Sequence, residues 1–75
     1  MLWSEIPAEI RGDIVAAART DLTARLTRSR NRIDMLEAMA ARGDNDYATR
    51  EFAATADRIV RLGRALTALA RLPIT

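Results

Sequence analysis

The sequence predicts an all-α protein: an antiparallel helical hairpin, preceded by a short segment able to form its own helix, that oligomerises into a bundle or ring. Three observations lead there. Apolar residues recur at helical spacing along two long stretches. One clear break, Arg42-Gly43-Asp44-Asn45-Asp46, separates them. The chain has 75 residues and no cysteine, so it can build neither a large core nor a disulfide, and self-association is the remaining way to stabilise a small helical unit.

The organising stretch is Phe52 to Leu72. Ile59, Leu62, Leu66 and Leu69 follow one another at steps of three and four, with Phe52, Ala56 and Ala70 beside them. That spacing buries one narrow stripe against another helix. Pro73 ends the stretch, because it lacks an N–H and its ring clashes with the preceding turn.

The partner stripe lies upstream. Ile10, Ile14, Ala18, Leu22, Leu26, Ile33, Leu36 and Ala40 form one helical face, interrupted by Ser29. Ser4 is a suitable cap and Pro7 suits a first helical turn. Gly12-Asp13 is the weak point, since glycine costs about 1 kcal/mol in a helix interior and aspartate can cap a new helix. One helical domain, 1–75, therefore divides into an N-terminal segment 1–12, helix one 13–42, a turn 43–46 and helix two 46–72. Gly43 suits the left-handed position after a helix, and Asp44, Asn45 or Asp46 can cap the next one. At 1.5 Å per residue the second helix spans about 40 Å and a continuous first helix about 50 Å. Residues 1–14 thus overhang, carrying Leu2, Trp3, Ile6, Ile10 and Ile14. They either fold back at Gly12 or pack on another subunit, and Trp3 is either a cap on the open end or a docking anchor.

The expected hairpin and oligomer interface comprises Leu22, Leu26, Ile33, Leu36, Met39, Phe52, Ile59, Leu62, Leu66 and Leu69. Met35 and Met39, with Val60 and Leu72, widen each helix's apolar arc beyond what one partner helix covers. That excess argues for copies of the chain packing together.

Composition excludes most chemistry. There is no histidine or cysteine, and no lysine, so the common general base, thiolate and amine nucleophiles are missing. No metal or cofactor is expected, nor an enzyme or a small-molecule substrate. The start lacks the basic and long apolar regions of a signal peptide, and no stretch approaches the ~20 apolar residues of a membrane span. A cytoplasmic protein without a membrane partner is expected.

The twelve basic residues are all arginine. Arg25, Arg28, Arg30 and Arg32 form one run without an acid; Arg58, Arg61 and Arg64 belong to another. Folding at Gly43 makes these runs neighbours. The seven arginines then form a candidate band for nucleic acid or an acidic partner. The alternative is a solvated face, or pairing with acids of another subunit. No aromatic residues interleave for base stacking, and no helix-turn-helix is present for sequence reading.

An Arg/Ala-rich hairpin ending in Ala56-Asp57-Arg58-Ile59-Val60-Arg61-Leu62-Gly63-Arg64-Ala65-Leu66-Thr67-Ala68-Leu69-Ala70-Arg71-Leu72 resembles the oligomerisation hairpin of small terminase subunits from tailed phages and gene transfer agents. The resemblance covers residues 13–72. It implies a homo-oligomer that engages DNA and a large terminase during packaging. The chain has no N-terminal helix-turn-helix domain, so DNA contact would come from the arginines without sequence specificity. Two rival readings are a small phage-type inhibitor or adaptor that binds a host protein, and a structural coiled-coil subunit of a larger complex.

Overall fold

The computed structural model describes residues 1–73. A 3-10 turn, Trp3–Glu5, precedes two helices, α1 (Ala8–Ala41) and α2 (Asn45–Ala70), which form a hairpin. The helices lie side by side in a rod of 54 × 17 × 16 Å.

Helix α1 runs unbroken through Gly12 and Asp13. The chain reverses instead at Ile6 and Pro7, both extended, with φ −83°, ψ 131° and φ −54°, ψ 144°. Proline keeps the residue before it out of the helical region, whereas glycine only weakens a helix, by about 1 kcal/mol. A helix of 34 residues absorbs that cost. Ser4 lies within the 3-10 turn rather than at the start of α1. Pro7 stands just ahead of the first helical residue, and its carbonyl accepts from the N–H groups of Ile10 and Arg11 at 3.0 and 2.9 Å.

The reversal brings Trp3 to the far end of α2. Its Nε1 donates to the Pro73 carbonyl at 2.7 Å. Of the two roles open to Trp3, the structure shows the cap on the open end of the hairpin. Ile10 and Ile14 remain largely exposed on α1.

The turn is closed by backbone hydrogen bonds. Asp44 N–H donates to the Met39 carbonyl at 3.2 Å and Gly43 N–H to that of Ala40 at 3.1 Å. These are the paired bonds of a Schellman ending, which requires a left-handed residue. Gly43 provides it, with φ +100°. Three residues, 42–44, separate the helices, so α2 returns directly along α1.

The seam follows a seven-residue repeat. Val15, Ser29 and Leu36 are buried on α1, and Ala48, Thr55 and Leu62 on α2. Leu22 and Leu69 fill the missing sevens and are half-buried. Among the described residues the buried apolar side chains are Val15, Leu36, Ala48 and Leu62 alone. Val15 takes the seam position where the apolar run reads Ile14, because sevens counted back from Leu36 through Ser29 and Leu22 arrive at 15.

Candidate functional site

A shallow groove of about 690 Å³ runs across the seam at mid-length. Its walls are Arg25, Arg28 and Arg32 from α1 and Arg58 and Arg61 from α2, with Ser29 and Leu62 at its floor. Helical spacing explains the selection. Arg25, Arg28 and Arg32 are three and four residues apart and share a face. Arg30, two residues from Arg28, does not. Arg58 and Arg61 also share a face. Arg64 lies with Arg71 on a separate cleft along the outside of α2. Five of the seven arginines of the expected band thus converge, and two do not.

Ion pairs divide the five further. Arg25 Nε contacts Asp21 Oδ2 at 3.0 Å, one turn earlier. Arg61 Nη2 contacts Asp57 Oδ2 at 2.9 Å in the same arrangement. Both pairs are more than half exposed, so each contributes about 0.3–0.5 kcal/mol and is screened by salt. Arg32 crosses between the helices: Nη2 donates to Glu51 Oε2 at 2.9 Å and to the Tyr47 hydroxyl at 3.3 Å. The bond to Glu51 first, and that to Tyr47 second, hold the Arg32 guanidinium above its ordinary pKa. A raised arginine pKa stabilises the fold at every pH below the ordinary arginine range, and that contribution is lost only as pH rises through the raised value. Arg32 therefore stays cationic around neutrality. Arg28 and Arg58 have no ion pair among the described residues.

The groove accordingly offers two uncommitted guanidinium forks on facing helices, flanked by three partly neutralised ones. Guanidinium forks match the paired oxygens of phosphate or carboxylate. Ser29 at the floor has no histidine anywhere in the chain to activate it. The sequence places Glu51 among the acids near the turn and does not reveal that it and Tyr47 meet Arg32. Their signal is weak, because the contact joins residues fifteen and nineteen positions from Arg32 and depends on the turn geometry.

The expected interface residues fall on the seam and the flank opposite the arginines, except Met39, which stands seven residues after Arg32 on the arginine side. Leu36 and Leu62 are buried; Leu22, Leu26, Ile33, Met39, Ile59, Leu66 and Leu69 are half-buried; Phe52 is 41% exposed. Near the turn, Leu36, Ala40, Ala48 and Phe52 line a small dimple with Glu37 and Thr49. Among the described residues no group of three or more histidine, cysteine or acidic side chains is placed to hold a metal, and no helix is long and apolar enough to cross a membrane. No protein-family model, curated protein or solved structure matches this chain.

Proposed function

We propose that the hairpin is a non-enzymatic interaction module that holds the phosphate backbone of a nucleic acid in its arginine groove, without reading base sequence. The observation that carries this reading is the pair Arg28 and Arg58: unpaired guanidinium groups from two helices, facing one groove. Phosphate contacts of this kind supply affinity and little specificity. With two free guanidinium groups the logarithm of affinity falls with the logarithm of salt at a slope near 2, rising to about 4 if the exposed pairs exchange their carboxylates for phosphates. One hairpin then binds weakly, and several copies on one duplex bind tightly through effective concentration.

The most specific role within this reading is a small-terminase-like component of DNA packaging, working beside a large terminase. Its support is the Arg/Ala-rich hairpin sequence together with the groove. The test is binding of a labelled duplex, followed by fluorescence anisotropy at low and at physiological salt. The Arg28→Ala/Arg58→Ala double variant should lose at least ~10-fold in affinity and flatten the salt slope. Binding unchanged in the double variant, or no binding at low salt, would refute the reading. Retention on an acidic polypeptide with none on DNA would favour the inhibitor or adaptor reading instead.

A further inference from the structure

We propose that Ser29 is a phosphate-binding residue: its hydroxyl, at the floor of the groove, donates to an oxygen of the phosphate that Arg28 and Arg58 hold from the two walls. The inference rests on the phosphate reading above and adds to it a contact that carries no charge.

The position of Ser29 is the first support. Counted in sevens, the seam of α1 runs Val15, Leu22, Ser29 and Leu36. Ser29 breaks this aliphatic series at the level of the groove, where it lies at the floor with Leu62. A small side chain there leaves room that a leucine would fill. Room alone does not call for serine. Alanine is smaller, favours the helix more and buries no polar group. The hydroxyl is therefore the feature to be explained.

The second support is the state of that hydroxyl. Ser29 is 5% exposed. Serine and threonine within helices often donate to the carbonyl four residues back. Thr20 does so to Ala16, and Thr67 to Gly63, both at 3.0 Å. Among the described residues Ser29 makes no side-chain hydrogen bond. Nor is its oxygen sealed in the seam: among the described residues, Arg11 Nε is the side-chain atom that is both fully buried and without a partner. The Ser29 oxygen thus keeps access to the groove that it floors. Buried polar groups are hydrogen-bonded as a rule, and the partner of this one comes from the groove.

The groove's chemistry says which partner. Guanidinium groups donate and accept nothing, and no carboxylate is among the lining residues. An occupant must bring acceptors and negative charge. A phosphate brings several oxygens, enough for a fork on each wall and for the hydroxyl beneath them. A hydroxyl bond to an ionised oxygen is also stronger than one to a neutral acceptor.

The test uses the labelled duplex and fluorescence anisotropy across a range of salt. Ser29→Ala should weaken binding about three- to tenfold, the effect of one hydrogen bond to a charged group. Its salt slope should equal that of the wild type, because a neutral donor releases no counterion. Its unfolding midpoint should not fall. Inorganic phosphate added to the wild-type chain should shift the nuclear magnetic resonance signals of Ser29 together with those of Arg28 and Arg58. Binding unchanged in Ser29→Ala while the Arg28→Ala/Arg58→Ala variant loses it would overturn the assignment of Ser29 and leave the groove reading standing. So would phosphate that moves the arginine signals and not those of Ser29. A lower midpoint or a flatter slope in Ser29→Ala would also overturn it, since the hydroxyl would then serve the fold or the placement of the arginines. A wild-type chain that binds no duplex would overturn both readings.

Discussion

The two flanks of the seam use the same helical frame for opposite chemistry. On one, Arg25, Arg28, Arg32, Arg58 and Arg61 surround a shallow groove. On the other, Leu26 and Ile33 of α1 and Ile59 and Leu66 of α2 are half-buried, and Phe52 is more open still. Between them, among the described residues, lie the buried apolar side chains Val15, Leu36, Ala48 and Leu62, with Ser29 and Thr55 beside them. The difference teaches that the residues that fold this hairpin and those that can recognise something else share helices but not faces. A guanidinium keeps its hydration at the groove. A leucine with half its surface in water gains by covering it, at about 25 cal/mol per Å². Each flank can therefore be changed with little effect on the other, and the seam cannot.

The largest effect should come from the wall common to both flanks. Leu62 is buried in the seam and also floors the groove. Leu62→Asp removes its packing and buries a charge, at a cost of roughly 4 kcal/mol or more. Circular dichroism should show loss of the helical signal. A folded variant of unchanged stability would break the claim that this seam holds the two helices together.

Next in size is the separation of the flanks. Arg28→Ala/Arg58→Ala should weaken DNA binding at least ~10-fold while its unfolding free energy changes by no more than about 0.5 kcal/mol, the range of surface substitutions. Equal losses in binding and stability would show that the groove arginines hold the fold rather than a ligand.

Trp3→Phe should act on neither flank. It removes the bond to the Pro73 carbonyl, worth about 1 kcal/mol, and opens the end of the hairpin. Faster amide exchange confined to residues 1–10 and the last turn of α2 is the expected signature. Exchange that quickens along the whole seam would mean that the cap, rather than the sevens, sets the stability.

The smallest effect sharpens the groove. Glu51→Gln removes the carboxylate facing Arg32 and leaves a third guanidinium without an ion pair. DNA affinity should rise about two- to threefold at low salt, and the salt slope should steepen by about one. No gain would indicate that Arg32 points away from the bound phosphate.

Much of the fold was legible because its determinants are local. The 3.6-residue period, the glycine after α1 and the proline after α2 each act within one or two turns. The break at Gly12 was misplaced for the same reason. Its cost is local and modest, and the constraint that Pro7 places on Ile6 is stronger. Of the candidate band, Arg25, Arg28, Arg32, Arg58 and Arg61 were legible as neighbours. Arg30 and Arg64 were not separable from them while the runs were read as strings instead of faces.

By itself, then, the sequence determined two helices, the turn between them and an apolar face on each, since propensity, capping and periodicity are set by neighbours along the chain. Only the tertiary structure decided which arginines meet, which carboxylates neutralise them, and that Trp3 closes the open end on Pro73. Those outcomes depend on how far one helix slides along the other and how far long side chains reach across. A displacement of one residue, 1.5 Å along the axis, changes both.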